Sequence, residues 1–183
     1  MAAVEKQEQA RSAPTVLVSK EKIAIDPLTP DADTLPKMFT QRVRALGSRV
    51  AMRKKRFGIW QEYTWRDSFQ QVRDLCLGLV SLGLKRGDKV AIIGENDPEF
   101  YWAEIAAWCA GGVTIAIFTD ANLQELGYVL DNSDAVFLFA HDQEQCDKAL
   151  ELREKLPTVR KVIYWEDRGL WNYDDPWLMS FQA

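Results

Sequence analysis

The chain has 183 residues, of which 47% are hydrophobic, 27% charged and 11% aromatic. That is the composition of a soluble globular protein with room for a sizeable core, and it excludes a disordered, collagenous or coiled-coil chain. A net charge of −4 argues against a nucleic-acid binder, which carries a basic excess.

Residues 1–33 read as a mostly disordered or irregular N-terminal segment. Residues 1–14 mix acids and bases without an apolar run, so they read as no secretory signal. Residues 15–26 mix β-branched residues with lysines and carry no clear period. Residues 27–33 read as a turn-rich connector. Thr34 then caps a helix over 35–46, with Pro36 in its first turn and Gly47 past its end.

Two strands over 50–57 and 60–64, joined at Gly58, read as a hairpin. Thr64-x-x-Asp67 resembles a capping box. It opens an amphipathic helix on which Phe69, Val72, Leu75, Cys76, Leu79 and Leu82 recur at spacings of three and four. Gly83 occupies the C′ position of that helix.

Residues 89–94 form an apolar strand, and Asp97-Pro98-Glu99 opens a helix with a cap, a proline and an acid. Gly111-Gly112 ends it. The next strand runs over 113–118. Asn122-x-x-Glu125 starts a short helix that Asn132 can stop. Strand 135–140 follows, then a charged helix over 142–155 closed by Pro157, then strand 161–165. Residues 89–165 thus read β-α-β-α-β-α-β. The strands are apolar on both faces, the mark of a parallel sheet with helices on both faces. A helix, a hairpin and a helix precede this α/β unit.

Residues 100–118 contain a single charge, Glu104, and have the length of a membrane span. The Gly111-Gly112 break and the β-branched second half make them a helix, a turn and a strand instead. The aromatic segment 166–183 reads as chain cut off before its structural partners arrive.

In an open α/β sheet, chemistry belongs to the loops after the strand C-termini. Here these are Glu95-Asn96-Asp97, Thr119-Asp120-Ala121 and His141-Asp142, and none is a glycine-rich phosphate cradle. His141 and Cys146 would need an orienting third group to act as base and nucleophile, and none is evident, so His141 reads as a loop histidine and Asp142 as a helix cap. Asp97 and Glu99 read as acids stabilising a helix dipole. Arg53-Lys54-Lys55-Arg56 alternates faces on a strand and reads as a solvated hairpin. The seven tryptophans read as core and subdomain packing. Cys76, Cys109 and Cys146, with His141 as the single histidine, exclude the common zinc arrangements. Free thiols without a signal point to the cytoplasm.

Several segments together resemble one family. They are Gly58-Ile59-Trp60, Tyr63-Thr64-Trp65, Leu82-Gly83-Leu84, Arg86-Gly87-Asp88-Lys89-Val90-Ala91-Ile92, Asn96-Asp97-Pro98-Glu99-Phe100 and Ala110-Gly111-Gly112-Val113. From 35 to 181 the chain resembles the N-terminal region of the adenylate-forming, AMP-binding acyl-CoA synthetases. Within them, Lys55, Gly58, Trp60 and the helix Leu126-Gly127-Tyr128-Val129-Leu130 resemble the long-chain fatty acyl-CoA synthetases. Where the family has a proline-containing turn, this chain has Ile115-Ala116-Ile117-Phe118-Thr119-Asp120, which leaves the substrate branch open.

The resemblance implies that residues 34–183 are an incomplete N-terminal subdomain of the adenylate-forming large domain. It implies a ligase that uses ATP and magnesium to form an acyl-adenylate and passes the acyl group to CoA. Its partners would be the remainder of the synthetase chain and a fatty acid. No nucleic acid and no transmembrane segment are implied, and peripheral association with a membrane is compatible with it. The family's phosphate loop, adenine motif, hinge aspartate and terminal lysine lie downstream of the matched region. The expectation is therefore no catalytic, cofactor-binding or metal residue here, and no cofactor bound by this chain alone. A stand-alone, non-enzymatic α/β interaction module, or a synthetase for another carboxylic acid, are the alternatives.

Overall fold

The computed structural model describes residues 29–183; the readings made for 1–28 lie outside the described residues. Helix α1 (Leu35–Leu46) begins after Thr34 with Pro36 in its first turn, but the Thr34 side chain makes no cap bond. It is followed by an antiparallel hairpin of β1 (Val50–Arg56) and β2 (Ile59–Thr64). Helix α2 (Trp65–Ser81) opens with the expected capping box: Thr64 accepts from the Asp67 amide, and Asp67 accepts from the Thr64 amide. Gly83 follows the helix at φ +86°, a conformation that glycine adopts without strain.

Then come β3 (Lys89–Ile93), α3 (Pro98–Cys109), β4 (Val113–Ile117), α4 (Leu123–Ser133), β5 (Ala135–Ala140), α5 (Gln143–Leu152) and β6 (Lys161–Tyr164). This is the β-α-β-α-β-α-β order expected from the sequence. The apolar stretch around Glu104 is α3, a turn and β4, and among the described residues no helix is long and apolar enough to cross a membrane. Several strand ends shift by one residue, and three other boundaries differ from expectation. Helix α4 runs past Asn132 and ends at Asp134, which is left-handed at φ 53°. The charged helix tightens into a 3-10 turn over Arg153–Lys155. The hairpin turn is Phe57-Gly58, because Phe57 leaves the strand at φ 49°.

The largest difference is the tail. Leu178–Ser180 forms β7, a fifth parallel strand against β6. Leu170, Trp177 and Phe181 are buried within the chain itself, and the Trp177 indole donates to the Val159 carbonyl at 2.9 Å. The segment expected to lack its partners finds them here. Trp171 alone of its tryptophans stays out, 75% exposed.

The sheet order is β4-β3-β5-β6-β7, all parallel. Alternate residues feed two cores, as a pleated strand requires. Val90, Ile92, Phe137, Phe139 and Ile163 face α1, α2 and α3. Ala91, Ile93, Leu138, Ala140 and Val162 face α4 and α5. Both faces are thus covered, which explains why the strands read as continuous apolar runs. Chain order departs to both sides of β3, first to β4 and then to β5. The crevice between the C-terminal ends of β3 and β5 is therefore the topological switch point, where ligands of such sheets bind.

Candidate functional site at the sheet switch point

Three loops meet at that crevice. Past β3, Gly94-Glu95-Asn96 leads to Asp97. Past β5 stands His141, whose amide continues the ladder by donating to the Ile93 carbonyl at 2.9 Å. Past β6 stands Trp165, whose amide donates to the Ala140 carbonyl at 3.3 Å. The hairpin adds Lys54 from outside the sheet.

Asp97 is the centre. Its Oδ2 lies 2.8 Å from Lys54 Nζ and accepts from the Trp165 indole at 3.3 Å. His141 Nε2 stands 3.5 Å from the same oxygen. Lys54 also donates to Glu99 at 3.1 Å. The imidazole lies against the Trp165 indole, ring centres 5.2 Å apart and 23° from parallel, which fixes the direction in which Nε2 points. The close approach depends on Gly94: a Cβ there would stand 2.3 Å from Trp165 Cη2.

This arrangement corrects two sequence readings. Asp97 holds the N-cap position of α3 but makes no side-chain cap bond; its carboxylate serves Lys54 and Trp165 instead. Nor is the basic run uniformly solvated. Arg53, Lys55 and Arg56 are exposed, whereas the Lys54 side chain retains 17% of its exposure. Burial alone would pull the Lys54 ammonium down. The hydrogen bonds and charges of Asp97 and Glu99 outweigh it and hold the group above its ordinary value. Desolvation, helped by the charge of Glu99, raises the nearby Tyr63 hydroxyl as well.

Cys146 lies on α5. The thiol is fully buried, and burial, aided by Asp142 and Asp147, pushes it up to about 12, far from a reactive thiolate. Asp142 caps α5 by accepting from the Gln145 amide at 3.2 Å. His141 does more than the sequence disclosed, since Asp97 and Trp165 lie far from it in the chain. Only the family topology, with strand ends brought together, could have signalled their meeting.

Chemically the site is a charge-balanced corner. One ammonium is shared by two carboxylates, and an imidazole is oriented beside them. It could orient a polar group of a ligand. As a cradle for magnesium nucleotide the donor set does not fit. The Asp97 and Glu99 carboxylates are committed to Lys54, the three loops offer no glycine-rich run, and among the described residues no group of three or more His, Cys, Asp or Glu is placed to hold a metal ion.

Residues 39–176 match the AMP-binding enzyme family. A long-chain-fatty-acid–CoA ligase of Xenopus laevis is 29% identical over 134 residues, which is 73% of this chain and 18% of that protein. A long-chain-fatty-acid–CoA ligase of Mycobacterium bovis is 32% identical over 106 residues, 58% of this chain and 18% of that one. This chain thus spans about a fifth of the length of the curated relatives it matches. Among solved structures, acetoacetyl-CoA synthetase from Streptomyces lividans superposes with a TM-score of 0.70 at 24% identity, covering 80% of this chain and 24% of that one. That likeness establishes the shared fold.

Proposed function

Since the chain belongs to the AMP-binding enzyme family, we propose that it supplies the N-terminal subdomain of a long-chain fatty-acid–CoA ligase. The observation that carries this is the match over 39–176, which takes in most of both cores, the hairpin and the switch-point cluster. The names of the relatives support the long-chain branch. The whole reaction joins a fatty acid to CoA at the expense of ATP, through an acyl-adenylate and pyrophosphate. Its catalytic machinery belongs to downstream chain, and no residue described above acts on the nucleotide. In this reading the switch-point cluster has a positioning role: Lys54, Asp97 and Glu99 fix the hairpin to the mouth of the sheet. ATP, magnesium and CoA would be used by the whole ligase, which would act in the cytoplasm.

The test is a chimera. The matching fifth of the Xenopus ligase is replaced by residues 35–181 of this chain, and palmitate-dependent pyrophosphate exchange is measured. Exchange in the folded chimera supports the proposal. A folded chimera that binds AMP but gives no exchange with palmitate or shorter acids contradicts it. Exchange with shorter acids alone would move the chain to another branch. A second reading, a stand-alone interaction module, is favoured by one observation: β7 and the buried Trp177 and Phe181 complete the cores from within this chain.

A further inference from the structure

The hairpin carries a feature that neither the cores nor the switch-point cluster uses. Its base is anchored by Lys54 and by Tyr63, whose ring meets Trp102 edge-on at 5.0 Å. Beyond that base, every residue from 55 to 62 is exposed, so the tip stands clear of the body on both faces. Three large apolar side chains sit there, Phe57 at 86%, Ile59 at 70% and Trp60 at 62% exposure. Single exposed apolar residues are ordinary, but three at one projecting tip are not.

The tip is also basic. Residues 50–64 contain Arg53, Lys54, Lys55 and Arg56 against one acid, Glu62. Arg53 pairs with Glu62 at 2.8 Å. The other two exposed bases lie over the aromatic rings: Lys55 Nζ is 6.0 Å from the Trp60 ring centre, and Arg56 Cζ is 5.6 Å from that of Phe57. Along the sequence, 31–119 hold thirteen bases and ten acids, whereas 120–183 hold six and thirteen.

The turn supplies the second observation. Phe57 and Gly58 have φ of 49° and 82°, the sign pattern of a type I′ hairpin turn. Its first position favours asparagine, aspartate or glycine, and for a bulky residue it is an outlier. Phe57 thus weakens its own turn and adds nothing to either core. A residue locally unfavourable and unburied points to a contact outside the chain.

We propose that this hairpin tip is a wedge for the surface of an anionic phospholipid bilayer. Phe57, Ile59 and Trp60 enter the boundary between headgroups and acyl chains, where amphipathic aromatics are favoured. Lys55 and Arg56, beside them, meet lipid phosphates, with Arg53 exchanging its partner Glu62 for the surface. This goes beyond the proposed ligase role, and its readout is binding, independent of acyl transfer.

The experiment is vesicle flotation of the 183-residue chain, with phosphatidylcholine alone and with phosphatidylserine added, at low and high salt. Binding is expected to require the anionic lipid and to weaken with salt. Phe57→Asn, which installs the better turn residue, should lower partitioning about tenfold or more while leaving the thermal midpoint equal or higher. Lys55→Ser with Arg56→Ser should remove the preference for anionic lipid. Absence of binding by the unaltered chain would overturn the proposal. So would equal binding to neutral vesicles, or partitioning unchanged in Phe57→Asn. A concentration-dependent dimer abolished by the same substitution would also overturn it, identifying a second copy as the occupant.

Discussion

Lys54 Nζ on the hairpin and Asp97 Oδ2 at the mouth of the sheet stand 2.8 Å apart, and this contact, together with Tyr63 packed on Trp102, ties the two-stranded ribbon to the α/β body. Such ribbons are marginal on their own in water. With Glu99 sharing the same ammonium, the contact also orders the start of α3.

Lys54→Met should therefore destabilise the chain by about 2 kcal/mol, because it leaves two carboxylates without their cation in a partly buried place. Denaturant unfolding reads this directly. Adding Asp97→Asn and Glu99→Gln to Lys54→Met should recover part of the loss, since it removes the repulsion. The pH dependence follows from the raised Lys54 value. The stabilisation is complete below the ordinary lysine value of 10.5 and is lost as pH rises through the higher folded value. The unfolding midpoint of Lys54→Met should fall less than that of the parent in this alkaline range.

Gly87→Ala should cost about 1 kcal/mol. Gly87 sits at φ +86° with open space where a Cβ would go, so the penalty is conformational and not steric. Its amide donates to the Gly111 carbonyl at 2.9 Å, joining the entry of β3 to the end of α3. An unchanged midpoint would refute this account of the turn.

Gly94→Ala tests a different glycine effect. The backbone there is ordinary, but the added methyl would overlap Trp165 Cη2 and Cζ2. The indole must move, losing its stack on His141 and its bond to Asp97. A loss of about 2–3 kcal/mol is expected. Trp165→Leu in the same chain should relieve the overlap, so the double variant should lose less than the sum of the two single changes.

Most of the fold was legible in the sequence because its signals are local. Thr64-x-x-Asp67 and Asn122-x-x-Glu125 both form the reciprocal cap that their spacing announces. Val90 to Ile93 and Phe137 to Ala140 are apolar on both faces because both faces are covered. Strand β7 was not legible: three residues within an aromatic segment carry no period, and only pairing with β6 defines them. The switch-point cluster was hidden for a related reason. Lys54, Asp97, His141 and Trp165 belong to four separate segments, and nothing in any one announces the others. Asp97 misled because an aspartate before Pro98 is the expected helix cap, whereas tertiary partners claim its carboxylate.

The three thiols should differ in reactivity. Cys109 is exposed, Cys76 half-buried and Cys146 buried. Burial raises all three thiols, Cys146 furthest, to about 12. With a thiol-reactive chromophore near pH 8, Cys109 should react first. Cys146 should react only after denaturant is added. Rapid native labelling of Cys146, located by peptide mapping, would contradict the packing described for α5.

In the proposed function this chain supplies the N-terminal subdomain of a fatty acyl-CoA ligase whose adenylation chemistry resides downstream. Palmitate-dependent exchange of labelled pyrophosphate into ATP tests it most directly, run on the purified 183-residue chain beside the ligase chimera. No exchange above the enzyme-free control is expected for the chain alone, and clear exchange for the chimera. Palmitate-dependent exchange by the chain alone would contradict it.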